Sequence, residues 1–148
     1  DYIEPARDRG VFKTHINHEG WDQFSIIVTI LGKNATKHSK GHIVVVGAHQ
    51  DSINYIFPSL IRAPGADDDG SGTVTTLEAL RLTIQQLVAG TFVPENTLEF
   101  HSYSAEDGGL LGSADVSHRY YLTGNEVVDM LQQDMTGTTS NTVAKGVE

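Results

Sequence analysis

Cysteine is absent from the 148 residues of this chain. Without thiols the protein has no disulfide framework, and it has no thiolate with which to hold zinc. Any bound metal must therefore be held by carboxylate oxygen and imidazole nitrogen. Long apolar runs are absent too, because stretches such as HIVVVGAH are far too short to cross a bilayer. We expect no membrane partner.

Positive charge is scarce, with 10 lysine and arginine residues against 19 aspartate and glutamate residues, for a net charge of -9. Such a balance repels a phosphate backbone, so we expect no nucleic-acid partner. Hydrophobic residues make up 39% and charged residues 20% of the chain, which is an ordinary globular composition. The length suits one domain over residues 1–148.

Apolar patterns along the chain alternate between strands and helices. Strands are predicted at FSIIVTIL (24–31), HIVVVGA (42–48) and TLEFHSY (97–103), and helices at 71–89 and 113–122. The segment VVDMLQQDM (127–135) is ambiguous, and we favour a strand in its second half. This order predicts an α/β fold, a three-layer α/β/α sandwich with a mixed sheet that is parallel at its centre.

Polar groups follow three of the predicted strands. AHQD follows the second strand, SAED follows the third, and QQD lies near the fourth. Ligands of such sheets gather beyond the carboxyl ends of the strands, so these groups are expected to converge on one edge of the sheet. We predict a functional site there.

Three consecutive aspartates, Asp67, Asp68 and Asp69, come just before the long predicted helix. Adjacent carboxylates repel one another unless a cation lies among them, and a helix amino terminus favours them as well. Asp67 and Asp69 are expected to shape the loop and cap the helix.

The candidate ligands after the second and third strands each have a structural alternative. His49 and Asp51 could lean the same way, with Asp51 orienting the histidine or acting on another charged group of the site. A lone histidine after a strand is more often structural, but the acidic clusters favour a metal ligand. Glu106 and Asp107 could divide the roles of general base and ligand, or form a solvated acidic turn.

His49, Asp68, Asp107 and Asp134 together form a set of one imidazole and three carboxylates. Zinc accepts such mixed ligands, but three carboxylates exceed the need of one catalytic zinc. They suit a two-metal site in which one carboxylate bridges the ions, and Asp68 is the natural bridge. We therefore predict two zinc ions as the cofactor.

The elements GAHQDS, APGADDDGSGT, SAEDGGLLGS and LQQDMTGT, in this order, resemble the M28 family of zinc aminopeptidases, from about Trp21 to Thr138. The resemblance implies a zinc exopeptidase-like fold and a leucyl aminopeptidase acting on peptide substrates. It implies His49 and Asp134 on one zinc, Asp68 as the bridge and Asp107 on the other zinc. Glu106 would be the general base, and Asp51 would support His49.

This chain departs from the pattern of the family in two ways. Asp107 stands where the branch usually has glutamate, and no histidine after the DMT segment matches the family's fifth ligand. The helical N-terminal part that is usual in the family is absent as well, so we expect a catalytic domain incomplete at both ends, whose remaining C-terminal fragment is a candidate partner. Two other functions stay open: a catalytically incompetent fragment or binding module, and a carboxypeptidase or deacylase on the same scaffold.

The first ten residues carry no signal-peptide pattern, so the chain is expected to be either intracellular or already processed. The resemblance implies a secreted protein. One sequon, at Asn34, lies in the polar stretch GKNATKHSKG and would suit a glycosylated loop.

Overall fold

The computed structural model describes residues 9–14, 23–36, 39–57 and 60–138. The beginning of the family resemblance, at Trp21, lies outside them. The described elements are, in chain order, β1 (Arg9–Thr14), β2 (Ser25–Ile30), β3 (His42–His49), α1 (Gly70–Val88), β4 (Thr97–Tyr103), α2 (Leu111–Thr123) and β5 (Glu126–Gln132).

The described strands form one sheet in the order β1-β2-β4-β3-β5. β1 pairs with β2 and β2 with β4 in antiparallel fashion, whereas β3 runs parallel to both of its neighbours, β4 and β5. The predicted mixed sheet with a parallel centre is confirmed. Because β3, β4 and β5 run the same way, their carboxyl ends lie at one edge.

The two helices lie on opposite faces of the sheet, as predicted for a three-layer sandwich. On one face, Val116 and Tyr120 of α2 join a buried cluster with Ile27, Ile43 and Val45 of the strands. This alternation of inward side chains follows from the pleat of the strands, which sends neighbouring residues to opposite faces. On the other face, α1 contacts the central strands β3 and β4.

The apolar residues of α1 are spaced as one helix face, which predicts burial against the sheet, and this is wrong in part; they are Val74, Leu77, Leu80, Ile84, Leu87 and Val88. Val74, Leu77, Ile84 and Val88 are exposed, and the two buried residues of the helix are Gly72 and Thr76. The reason is the close approach that Gly72 permits at the start of the helix, where its backbone lies against Asp69 and Gln133. The rotation of the helix is therefore set at the site end rather than by its largest apolar side chains.

The strand in the segment 127–135 was predicted in its second half, and this is wrong. β5 occupies the first half and ends at Gln132. The N–H of Gln133 still donates to Gly47 O over 2.7 Å, but Met135 then has a positive φ of 48° and its N–H turns to Asp69. The chain leaves the sheet because the loop before α1 supplies other hydrogen-bond acceptors.

A buried carboxylate lies between the sheet and α2. Glu99 is fully buried and accepts hydrogen bonds from Thr29 Oγ1 (2.8 Å), Lys40 Nζ (2.7 Å), His101 Nε2 (3.1 Å) and the Tyr120 hydroxyl. Burial opposes ionisation, but the hydrogen bond from His101 and the charge of Lys40 outweigh it and lower the pKa of Glu99 to about 2. This network ties β2, β4, α2 and the loop before β3 together around one negative charge.

Within the described part of the chain, neither helix combines the length and the apolarity that crossing a bilayer requires.

Candidate metal centre

His49 is the last residue of β3 and is fully buried at the carboxyl edge of the sheet. Its Nε2 atom lies 3.0 Å from Asp68 Oδ1, and its Nδ1 atom lies 3.1 Å from the main-chain oxygen of Asp51. A main-chain carbonyl accepts but cannot donate, so it favours the tautomer with the proton on Nδ1. Nε2 faces the Asp68 carboxylate, which also only accepts, so this short contact calls for a proton on Nε2 or a cation between the two atoms.

The carboxylate of Asp51 serves a different group. Asp51 Oδ1 and Oδ2 accept the main-chain N–H groups of Glu106 (3.0 Å) and Asp107 (3.1 Å), and Oδ1 lies 3.6 Å from His49 Nδ1. Asp51 could orient His49 or act on another charged group of the site. Its direct contacts favour the second role, because they hold the backbone of the acidic pair Glu106 and Asp107. The loop after β4 is held by a buried carboxylate from the loop after β3.

The outer aspartates of the triplet hold three segments together. Asp69 Oδ1 accepts the N–H of Gly72 (3.0 Å), which confirms Asp69 as the helix cap, and Oδ2 accepts the N–H of His49 (3.0 Å). Asp67 does not cap the helix, because its Oδ1 accepts Ser71 Oγ (3.0 Å) and the N–H of Gly137 (2.8 Å). The triplet loop is thereby joined to β3 and to the segment after β5.

Asp134 follows β5 and shares one group with His49 and Asp68, in which single ligand atoms all lie within 4.8 Å of one another. Burial, and then the charge of Asp69, raise the pKa of Asp134. Hydrogen bonds of the two neighbouring residues fix the backbone position of Asp134. Gln133 N donates to Gly47 O, and Met135 N donates to Asp69 Oδ1.

Glu106 stands beside this group, with Oε2 lying 3.8 Å from His49 Nε2. Burial and the charge of Asp107 raise the pKa of Glu106, although His49 opposes the shift. A carboxylate with a raised pKa is a better proton acceptor than an ordinary one, which suits a general base.

Asp107 follows Glu106 in the chain and makes a contact of its own with the loop after β3. Its Oδ1 accepts the hydroxyl of Tyr55 over 2.8 Å. Asp107 also belongs to a second group with His49 and Asp51, whose ligand atoms again lie within 4.8 Å of one another. Tyr55 was not among the predicted residues, and no motif marks it, because only the path of the loop after β3 brings it here.

The donor set fits a divalent metal such as zinc. Nitrogen and oxygen ligands bind zinc at about 2.0–2.2 Å, which places neighbouring donors roughly 3.4 Å apart in a tetrahedral site. His49 Nε2 and Asp68 Oδ1 lie 3.0 Å apart, and Asp134 completes a compact group. Burial opposes protonation of His49, but Asp69, Glu106 and Asp51 outweigh it and raise its pKa. A site with this excess of negative charge favours a cation.

All six residues predicted from the sequence lie at this edge of the sheet: His49, Asp51, Asp68, Glu106, Asp107 and Asp134. No other described histidine joins them. His42 begins β3 at the opposite edge, His101 lies in the Glu99 network, and His118 is exposed on α2. Among the described residues, His49 is therefore the one histidine near Asp107.

A buried histidine at a strand end, a carboxylate triplet at a helix start and an acidic pair after the next strand thus meet as a candidate metal site on an α/β sheet. Residues 25–146 match Peptidase family M28, and the chain belongs to that family.

Two fungal proteins named leucine aminopeptidase 1 are among its relatives. The chain is 56% identical over 140 residues to that of Sclerotinia sclerotiorum, covering 93% of this chain and 34% of the relative. It is 55% identical over 150 residues to that of Chaetomium globosum, covering 99% of this chain and 34% of the relative. The chain therefore spans about a third of the length of these curated relatives.

A solved structure has the same fold. The LapA aminopeptidase of Legionella pneumophila superposes with a TM-score of 0.68 at 29% sequence identity, covering 87% of this chain and 30% of that one.

Proposed function

We propose that this chain supplies the metal ligands and the general base of an aminopeptidase that removes single residues from the amino termini of peptides. The observation that carries the proposal is the convergence of His49, Asp68 and Asp134, with Glu106 Oε2 lying 3.8 Å from His49 Nε2. The similarity to proteins named leucine aminopeptidase supports the same reaction.

Two zinc ions are the proposed cofactor. His49 and Asp134 would hold one ion, Asp107 would hold the other, and Asp68 would bridge them. When bound, such a metal pair supplies Lewis acidity, which lowers the pKa of a water molecule and polarises a carbonyl. The second ion would need a further ligand beyond the described residues, and the remaining C-terminal part of the enzyme is the proposed source.

Glu106 is the proposed proton carrier. Its carboxylate would take a proton from the attacking water and pass it to the nitrogen of the leaving amine. The main-chain N–H of Glu106 is held by Asp51, so the base is positioned by the same carboxylate that positions Asp107. Asp51 would thus act through the backbone of the loop after β4.

The acidic character of the site favours a substrate with a free amino terminus, because an ammonium group is attracted to an excess of carboxylates. A preference for leucine-like residues follows from the relatives rather than from the described side chains. We propose peptides as the substrate class on these grounds.

Secretion is proposed from the relationship, and one surface feature is consistent with it. Asn34 is exposed in a turn, where its Nδ2 donates to Asn96 Oδ1 over 3.4 Å. A glycan at this position would meet solvent. Intact mass before and after glycosidase treatment, on protein secreted from a eukaryotic host, tests it.

The reaction is tested on the protein expressed with whatever sequence naturally flanks these residues. Zinc-loaded protein should hydrolyse a leucyl chromogenic amide and leave its N-acetylated counterpart uncut. Cleavage of the acetylated compound at a similar rate would favour a deacylase, and release of C-terminal residues from peptides would favour a carboxypeptidase. No hydrolysis of any of them, with zinc bound, would favour the binding module.

A further inference from the structure

Tyr55 lies in the loop between β3 and α1, and its side chain is held at the tip only. The residue is 74% exposed, so little apolar burial fixes its side chain. The hydroxyl donates to Asp107 Oδ1 over 2.8 Å and lies 3.4 Å from the main-chain oxygen of the same residue. A tyrosine that fills no core contributes to the protein mainly through its hydroxyl.

The loop is shaped to present this hydroxyl. Asn54 Oδ1 accepts the main-chain N–H groups of Ile56 (3.1 Å) and Phe57 (3.0 Å), which closes a tight turn around Tyr55. Such a side-chain turn fixes the local backbone without help from the core. The backbone that carries the Tyr55 side chain is therefore ordered.

Asp107 is held at both of its ends by this arrangement. Its main-chain N–H donates to Asp51 Oδ2 over 3.1 Å, and its Oδ1 receives the Tyr55 hydroxyl. An aspartate has a short side chain, so fixing its backbone and one oxygen leaves little freedom for the other oxygen. Groups that orient a ligand in this way strengthen metal binding.

We propose that Tyr55 is a positioning residue that orients Asp107 for the metal ion on its side of the site. The inference rests on the proposed metal pair and deepens it. Loss of the hydroxyl should leave the fold intact and weaken that ion, because the carboxylate would have to be ordered by the metal alone. Outer groups of this kind typically change metal affinity by about 10–100-fold, and the exposure of Tyr55 favours the lower end, about tenfold.

The test compares Tyr55→Phe with a matched control, Tyr121→Phe, which removes a hydroxyl from another highly exposed tyrosine, on α2. Metal-free protein with its natural flanking sequence is titrated with Zn²⁺ against a chromophoric chelator, and the Co²⁺ form is followed by its visible absorption. Tyr55→Phe should bind the weaker ion about tenfold less tightly and shift the Co²⁺ spectrum, whereas Tyr121→Phe should match the wild type.

A third variant, Asp107→Asn, separates the proposed role of Tyr55 from the proposed metal pair on which it rests. If Asp107→Asn loses an ion while Tyr55→Phe binds zinc within about twofold of the wild type, the role of Tyr55 is refuted and the metal site stands. If Asp107→Asn also keeps both affinities, the proposed ligand is wrong and the role of Tyr55 falls with it. A melting temperature of metal-free Tyr55→Phe low enough to explain weaker binding would also overturn the proposal.

Discussion

Replacing Glu99 by glutamine should remove a large stabilising contribution that a buried carboxylate makes to the fold. The carboxylate is fully buried, and its pKa falls from 4.5 to about 2. A group with a depressed folded-state pKa stabilises the protein above its unfolded pKa, and this contribution is lost as the pH falls through the folded value. A lowering of the pKa by this amount corresponds to about 3 kcal/mol of stability at neutral pH.

The pH dependence gives the sharper expectation. Between pH 7 and pH 3 the linkage relation removes about 2 kcal/mol of that contribution, since unfolded Glu99 is then mostly protonated and folded Glu99 is not. Glu99→Gln has no carboxylate at this position, so it does not show this pH-dependent loss of stability. The stability difference between wild type and variant should therefore shrink from about 3 kcal/mol at pH 7 to about 1 kcal/mol at pH 3.

Urea unfolding across this range, with chelator in excess so that metal release does not contribute, measures the difference. Glu95→Gln is the matched control, because Glu95 is exposed and pairs only loosely with Lys33 at 3.4 Å. That control should change stability by less than about 0.5 kcal/mol. A Glu99→Gln curve parallel to the wild type at every pH would refute the assignment of a depressed pKa to Glu99.

Three further outcomes are expected. Glu106→Gln should lower turnover by at least about 10²-fold while keeping the metals, whereas near-normal turnover would mean that another group is the base. Gly72→Ala should lower the free energy of unfolding in urea by about 1–3 kcal/mol, because the new Cβ would lie 2.2 Å from Asp69 Oδ1 and 2.4 Å from Gln133 O. An unchanged urea midpoint would contradict that packing. Chelation should lower the melting temperature, and by more at pH 7 than at mildly acidic pH. The reason is that the metal-free protein loses stability as the pH rises through the raised pKa values of Glu106 and Asp134. An equal loss at both pH values would oppose this.

The periodic parts of the fold were predictable from the sequence. β2, β3 and β4 consist of β-branched and apolar runs, and the structure places them within a residue of the predicted bounds. Asp69 was predictable as a cap because an aspartate before a helix accepts its first free N–H groups. These features depend on neighbouring residues alone, so a single sequence carries them.

The remaining features depend on contacts between distant segments. Asp51 faces the N–H groups of Glu106 and Asp107, which lie more than fifty residues away, and no local pattern specifies that choice. The end of β5 at Gln132 is set by acceptors in the loop before α1. The contact of Tyr55 with Asp107 likewise follows from a loop path that composition does not encode.

The number of zinc ions bound by the protein and by its Asp68→Asn variant tests the central claim most directly. Asp68 Oδ1 lies 3.0 Å from His49 Nε2 and is the proposed bridge, so its loss should affect both ions. After dialysis of protein with its natural flanking sequence, elemental analysis should find two zinc ions in the wild type. Folded Asp68→Asn should hold less than one, and Asp67→Asn should keep both. Two tightly held ions in Asp68→Asn, or none in the wild type, would contradict the account.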